Sequence, residues 1–307
     1  MGLNDILQRL ESSLGPLAGE PAVLEGGITN RNLRVTLGGV DYVLRRPGKD
    51  TALLGIDREA ERLANESAAR LGIAPAVAAA LGDCLVTRFV DCHPIDGGEL
   101  AEGVEEIARA LRSFHDSDTA LPVRFNVPAL LDDYAAIARA RGGTVPAPYE
   151  GAVAVAGRIE AALAPLDARP CHNDLLASNI IRAEESGRMM IVDWEYAGMG
   201  DPRFDLGNLS INNDFDEGTD ERLLTAYDGE APGDGRRAEL KLMRVLSDAR
   251  EAAWGVVQGT ISELDFDFAG YAREHFERLA RAVSDPSFER WLALAAARGG
   301  GRGAQSA

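Results

Sequence analysis

Two polar clusters in the second half of the chain constrain its fold more than any other feature. The first is CHNDLLASN, residues 171–179, and the second ends the segment MMIVDWEY, residues 189–196. Each follows a short apolar run, and such runs are typical of buried strands. We therefore expect the strands to carry two carboxylates and an amide to one edge of a sheet. Hard oxygen donors gathered in this way favour metal and phosphate chemistry.

The spacing inside these clusters matches the catalytic loop of kinases. Asp174 and Asn179 are five residues apart, as are the aspartate that faces the attacking hydroxyl and the asparagine that binds magnesium in that loop. Asp193 then takes the position of the second metal ligand. One carboxylate, one amide oxygen and nucleotide phosphates are enough for Mg²⁺, which keeps several waters. The alternative is an ordinary polar turn followed by a strand end, and the joint spacing argues against it.

Composition and charge exclude several other classes of protein. The chain has 307 residues and a net charge of -17, which argues against binding to nucleic-acid phosphates or to anionic lipid. A cationic or neutral small molecule fits better. No apolar stretch is long enough for a membrane helix, and neither a Walker P-loop nor a zinc-protease motif is present. Three cysteines without close pairing favour a reduced, cytoplasmic protein.

The first part of the chain has the pattern of a small β unit. VLEGGITNRNLRVTLGGVDYVLRR predicts antiparallel strands joined by a tight turn at Gly38-Gly39. A complete helix signature covers residues 56–72, and short strand-like runs follow at 76–80 and 84–89. We place a domain boundary after residue 90.

Beyond VDCHPIDGG the pattern changes to long helices, starting with an apolar stripe that includes Val104, Ile107 and Phe114. Further helices are expected over 128–140, over 149–166 and from about 220 onwards. The prediction is an α+β, two-lobed fold. A nucleotide-binding β-rich lobe with one helix spans 1–90. A larger, mainly helical lobe spans 91–307 and holds the catalytic loop, metal site and acceptor pocket, with 298–307 as a disordered tail.

A kinase also needs a strand cation to hold the nucleotide phosphates and a helix glutamate to hold that cation. DYVLRRPG supplies the strand, and alternation places Arg45 and Arg46 on opposite faces of it. Only one of them can face the cleft. Lysine occurs only twice in the chain, so arginine must take this role, and its planar fork suits phosphate oxygens. Glu59 and Glu61 lie on opposite sides of their helix, so only one of them can be the partner.

These segments resemble the choline/ethanolamine kinase family, within the larger group of aminoglycoside-phosphotransferase-like kinases, and in particular its bacterial choline-kinase-like branch. The resemblance covers most of the chain: GGITNRNLRV, YVLRRPG, the CHND loop, IVDWEYAG with PRFDLGN after it, and WGVVQGTIS followed by FDFAGYAREHF. It implies a protein-kinase-like fold, with Mg²⁺ as cofactor and ATP as co-substrate. The implied reaction transfers the γ-phosphoryl group to the hydroxyl of choline, ethanolamine or a similar amino alcohol.

The family pattern also implies a role for each matching residue. Asp174 would be the catalytic base, and Asn179 and Asp193 the magnesium ligands. The resemblance implies two further groups, which bind the nucleotide or support the catalytic loop. The nucleotide group is Thr29, Asn30, Arg45 and Glu61, with Glu61 favoured over Glu59 as the partner of Arg45; the supporting group is His172 and Asp205.

For the acceptor, an ammonium group would be held by aromatic faces and carboxylates. The candidates are Trp254, Tyr196 and Tyr271. Glu195, beside the metal aspartate in DWEY, would add charge from the cleft wall. Glu251 stands where the family often has a second tryptophan, which weakens the case for a trimethylammonium group and leaves room for ethanolamine or another amino alcohol.

Two alternative functions stay open from the sequence. One keeps the reaction and takes an aminoglycoside, a sugar or another hydroxylated metabolite as acceptor, because the fold does not decide the substrate. The other is a nucleotide-binding pseudokinase, which the intact catalytic and metal-binding positions argue against. Related kinases are often dimers, so the resemblance also leaves a homodimer open.

Overall fold

The computed structural model describes residues 2–24 and 30–303. Its first part is a five-stranded antiparallel sheet with strand order β1-β2-β3-β5-β4. Helix α1 precedes the sheet, and helix α2 lies between β3 and β4 in the chain. The elements are α1 (Leu3–Leu14), β1 (Leu17–Leu24), β2 (Asn30–Leu37), β3 (Val40–Pro47), α2 (Arg58–Arg70), β4 (Val77–Leu81) and β5 (Cys84–Arg88).

The predicted hairpin joins β2 to β3. Gly38 and Gly39 have φ values of 58° and 79°, a left-handed conformation that glycine adopts without steric cost. Leu44 faces a core shared with α1, in which Ile6, Leu7 and Leu10 are buried. Strand alternation then turns Arg45 towards the opposite face of the sheet. Helix α2 begins after Asp57, whose side chain accepts a hydrogen bond from the Ala60 N–H.

The second part of the chain is mainly helical. It contains α3 (Gly97–Glu102), α4 (Val104–His115), α5 (Val127–Ala140), α6 (Pro148–Ala162), α7 (Pro202–Asn212), α8 (Glu217–Asp228), α9 (Asp234–Ile261), α10 (Phe268–Ser284) and α11 (Ser287–Gly303). Short strands complete it: β6 (Cys92–Pro94), β7 (Arg169–Cys171), β8 (Ile180–Ala183), β9 (Met189–Ile191) and β10 (Gly198–Gly200). Strands β6, β8 and β9 form one sheet, while β7 pairs with β10.

Helix α9 is the centre of this part, and α5, α7, α10 and α11 all pack against it. The contact with α7 is very close, since a Cβ at Gly207 would lie 2.4 Å from the Cβ of Met243. An antiparallel sheet followed by a mainly helical part confirms the predicted α+β class. The boundary proposed after residue 90 falls between β5 and β6 and stays a prediction.

The C-terminal segment differs from expectation. Residues 298–307 are not wholly a disordered tail, because α11 continues to Gly303. Arg298 on this helix donates a hydrogen bond to Glu239 of α9, and a Cβ at Gly299 would lie 2.8 Å from the Cβ of Ala164. These contacts hold α11 against α9 and the segment after α6 as far as Gly299. None of the helices within residues 2–24 and 30–303 is both long and apolar enough to cross a membrane.

Candidate active site

The loop after β7 brings Asp174 into contact with Arg250 of α9. Both carboxylate oxygens of Asp174 are held, since Oδ2 accepts from Asn179 Nδ2 at 3.1 Å and Oδ1 accepts from Arg250 Nη1 at 3.2 Å. The Asn179 amide also donates to the Asp174 carbonyl at 2.8 Å. Burial raises the pKa of Asp174 to about 7, although the Arg250 guanidinium opposes the rise. A carboxylate in this range is suited to accept a proton near neutral pH.

A buried carboxylate braces this loop from behind. Asp205 of α7 accepts from the backbone N–H groups of His172 and Asn173, each at 2.7 Å, and from His115 Nε2 at 2.9 Å. Burial by itself would raise the pKa of Asp205, but the hydrogen bond and charge of His115 lower it below its ordinary value. The brace holds Asn173 at a φ of 68°, a conformation that non-glycine residues rarely adopt.

His172 acts as a scaffold in this geometry. Its Nε2 donates to the Val192 carbonyl at 3.0 Å, and its Nδ1 accepts from the Asp174 N–H at 3.1 Å. Burial lowers the pKa of His172, so the ring is neutral and both of its nitrogens are used. Its contacts link the catalytic loop to the strand end before Asp193.

His115 was not anticipated from the sequence, where it only ends the apolar stripe of α4. Its Nδ1 is 2.7 Å from the Tyr227 hydroxyl. The ligand-type atoms of His115, Cys171 and Asp205 lie within 4.8 Å of one another. Both histidine nitrogens and both Asp205 oxygens are already hydrogen-bonded, and burial raises the pKa of the Cys171 thiol. This cluster is therefore a structural brace and not a metal site.

The second carboxylate, Asp193, ends the segment after β9 with a φ of 63°. Its Oδ1 accepts from Arg45 Nη2, and Arg45 Nη1 donates to Glu61 Oε1 at 2.6 Å. Of the two helix glutamates, Glu61 thus contacts the strand arginine, whereas Glu59 is exposed and pairs with Arg62. These two ion pairs join strand β3 to helix α2 and to the turn at Asp193.

The oxygen atoms that remain fit a magnesium ion. No residue in 2–24 or 30–303 donates a hydrogen bond to Asn179 Oδ1 or to Asp193 Oδ2. Both are hard oxygen donors of the kind that Mg²⁺ prefers. The Asn179 amide nitrogen is fixed by Asp174, so its oxygen is the atom left for a ligand.

Glu195 is bound to the cations beside Asp193. Its carboxylate is buried and accepts from Asn30 Nδ2 at 2.9 Å and from Arg58 Nη1 at 3.3 Å. Arg58, which the sequence did not single out, also donates to Glu61 at 2.6 Å. Glu195 is therefore a counter-ion of Arg45 and Arg58, and its role towards an acceptor stays a prediction. Asn30 is tied to the same charged group, and Thr29 lies outside the described residues.

The three aromatic candidates do come together. Trp254 Nε1 donates to the Tyr196 hydroxyl at 2.8 Å, and the rings of Trp254 and Tyr271 meet edge-on at 5.5 Å. Trp254 and Tyr196 are each only 7% exposed and belong to the hydrophobic core that helices α5, α6, α9 and α10 share. The Tyr271 hydroxyl donates to Glu251 Oε2 at 2.7 Å, so Glu251 is joined to this group of three aromatic residues.

Comparison with known proteins identifies the family of this chain. The model of the phosphotransferase enzyme family matches residues 21–240. The crystal structure of a choline/ethanolamine kinase family protein from Mesorhizobium loti is 31% identical, with a TM-score of 0.80 over 96% of this chain and 99% of that one. The chain belongs to the choline/ethanolamine kinase family of phosphotransferases.

Curated relatives of this kinase carry related names. Probable choline kinase 1 of Arabidopsis thaliana is 25% identical over 90% of this chain and 92% of its own length. Protein LicA of Haemophilus influenzae is 27% identical over 66% of this chain, and the match spans 61% of that relative, which is less than two thirds of its length. Membership of the family makes the chain a kinase-type phosphotransferase with a protein-kinase-like fold.

Proposed function

We propose that this kinase transfers the γ-phosphoryl group of ATP to the hydroxyl of choline, ethanolamine or a similar amino alcohol. The observation that carries the proposal is the Asp174 carboxylate, held at both oxygens and near enough to Asp193 for that charge to help raise its pKa, while Asp193 is itself bound to Arg45 and Arg45 to Glu61. An acceptor base and a phosphate-binding cation are the two parts that phosphoryl transfer requires of the protein.

In this proposal each residue has one task. The oxygen of the acceptor hydroxyl forms a bond to the γ-phosphorus, and the bond between that phosphorus and the bridging oxygen of ADP breaks. Asp174 accepts the proton that the hydroxyl loses. The proton leaves late in a largely dissociative transfer, so positioning contributes most of the rate. Arg45, fixed by Glu61, holds nucleotide phosphate oxygens. Asn179 and Asp193 would hold Mg²⁺, and the bound ion would neutralise charge that develops on the phosphates.

One observation favours the alternative acceptors. The guanidinium of Arg250 lies over the Tyr196 ring, with Cζ 4.4 Å from the ring centroid, so a protein cation already occupies an aromatic face predicted for the substrate. An aminoglycoside or another hydroxylated metabolite, which is held through hydrogen bonds instead of an aromatic box, is therefore the second candidate.

The test is a Mg²⁺-dependent ADP-release assay with choline, ethanolamine, its methylated forms, several aminoglycosides and several sugars. Asp174→Asn serves as the active-site variant and Asp133→Asn, exposed on α5, as the matched control. We expect ADP release to rise with an amino alcohol, to fall by about 10² or more in Asp174→Asn and to be unchanged in Asp133→Asn. Activity with an aminoglycoside or sugar alone would replace the acceptor assignment. Silence across the panel would contradict the proposed function.

A further inference from the structure

Arg250 is buried beside Asp174 in a way that the family resemblance does not anticipate. It lies on α9 with 1% of its surface exposed. Its Nη1 donates to Asp174 Oδ1 at 3.2 Å and to Glu251 Oε1 at 2.7 Å. One guanidinium nitrogen therefore bridges the predicted base and the carboxylate that takes the place of the second family tryptophan.

The rest of this guanidinium has no hydrogen-bond partner. Both Nε and Nη2 of Arg250 are buried and donate to no residue that the structure describes. A buried donor without a partner costs about 1–3 kcal/mol, so packing alone does not favour an arginine here. Arg244, six residues earlier on α9, differs in this respect, because its Nη1 donates to Ser210, to the Phe215 carbonyl and to Asp220.

The position of Arg250 is fixed from two sides. The Tyr196 ring lies against the face of its guanidinium at 4.4 Å, a cation–π contact strengthened by burial. Glu251 is held in turn by the Tyr271 hydroxyl. Of the aromatic residues expected to hold an acceptor cation, Tyr196 is thus engaged by a cation of the chain itself.

We propose that Arg250 is a positioning residue for phosphoryl transfer, which holds the Asp174 carboxylate towards the acceptor hydroxyl, and that Tyr196 is the platform for Arg250 and not a surface for the acceptor. This inference rests on the proposed function. Asn179 holds one oxygen of Asp174 and Arg250 holds the other, so loss of Arg250 frees the carboxylate to rotate. A displacement of about 1 Å at a reacting group can lower the rate by about 10².

The test compares Arg250→Met with Arg250→Lys and with Arg244→Met as the matched loss of an arginine on α9. We expect Arg250→Met to lower kcat by about 10² with the nucleotide KM within about twofold, and Arg250→Lys to recover part of the loss. Methylguanidine should restore part of the activity of Arg250→Ala. Arg244→Met should lower the Tm and leave kcat within about twofold. Unchanged kcat in folded Arg250→Met would overturn the inference.

Tyr196 provides a second test of the platform role. Tyr196→Phe keeps the aromatic face and should keep most of kcat, whereas Tyr196→Leu should lose kcat to the same extent as Arg250→Met. The two losses should not add in the double variant. If Tyr196→Leu instead raises only the acceptor KM, the ring binds the acceptor and the platform role is wrong.

Thermal unfolding distinguishes failure of this inference from failure of the proposed function. If the wild-type enzyme turns over no acceptor, the function has failed, and the contact can still be measured through the Tm values of Arg250→Met, Asp174→Asn and the double variant. We expect the double variant to lose less than the sum of the single losses, because either single change already removes the contact between Arg250 and Asp174. Additive losses would show that Arg250 does not hold Asp174.

Discussion

Changing Asp205 to asparagine would place an amide NH₂ group, a hydrogen-bond donor, in a site where the neighbouring groups are all hydrogen-bond donors. The two oxygens of Asp205 accept from the His172 and Asn173 backbone and from His115. In either orientation the new NH₂ group faces at least one of these donors. A hydrogen bond to a charged group contributes about 1.5–3 kcal/mol, and a buried donor left unpaired costs about 1–3 kcal/mol. We therefore expect the free energy of unfolding at pH 7 to fall by about 3 kcal/mol or more.

The direction in which pH changes this stability difference follows from the pKa of Asp205. The pKa of Asp205 is lowered in the folded protein, so its stabilisation is complete above the pKa of an unfolded carboxyl, about 3.9. It is lost as the pH falls through the lower folded-state value. The difference in stability between wild type and Asp205→Asn should therefore shrink below about pH 4.

Urea unfolding followed by circular dichroism at pH 7 and below pH 4 measures both effects. Asp116→Asn is the control, because Asp116 forms an exposed ion pair with Arg112, and exposed pairs contribute at most about 1 kcal/mol. The brace would be refuted if Asp205→Asn unfolded within about 0.5 kcal/mol of wild type at pH 7, where the lost hydrogen bonds predict several times more. A difference that stayed constant below pH 4 would refute the ionised state of Asp205.

Two further predictions use matched pairs. Glu61→Gln, which removes the carboxylate that holds Arg45, should weaken nucleotide binding by about tenfold, the effect of losing roughly 1.4 kcal/mol. Exposed Glu59→Gln should leave it within about twofold, and a nucleotide titration that gives equal effects would contradict the assignment. Gly207→Ala should lower the Tm because its methyl group would overlap Met243. Gly157→Ala, whose added Cβ meets no atom within 4 Å, should raise the free energy of unfolding by about 0.5–1 kcal/mol. Equal Tm changes in Gly207→Ala and Gly157→Ala would contradict the close packing of α7 on α9.

Local signals in the sequence accounted for the elements with a clear pattern. The Gly38-Gly39 turn and the helix signature at residues 56–72 correspond to the β2–β3 hairpin and to α2, because turn conformation and helix caps depend on neighbouring residues. Helix α7 escaped prediction, since residues 203–211 are buried on every side. A helix without an exposed face has no apolar stripe that a sequence can reveal.

The sequence predicted contacts of the site where residue spacing or strand alternation fixes the direction of a side chain. It did not predict them where a turn fixes that direction. Alternation along β3 limited the cleft-facing cation to one of two arginines, and Arg45 is the one in contact with Asp193 and Glu61. The contacts of Glu195 with Asn30 and Arg58 had no signal in the sequence, because residues 194–196 form a short 3₁₀ turn after Asp193 whose direction a strand or helix pattern does not fix. Arg250 carried no local signal, as its role depends on contacts made across the fold.

The use of arginine in the cleft has a consequence for chemical modification. Lys49 and Lys241 are the only two lysines in the chain. Lys49 pairs with Glu263 on the surface and Lys241 pairs with Asp220, so neither contacts Asp174, Asp193 or Arg45. Arginine stays protonated at any pH at which the protein is folded and does not react with amine-directed reagents under mild conditions. A dye or a solid support can therefore be coupled through Lys49 with Arg45, the proposed phosphate-binding cation, left intact.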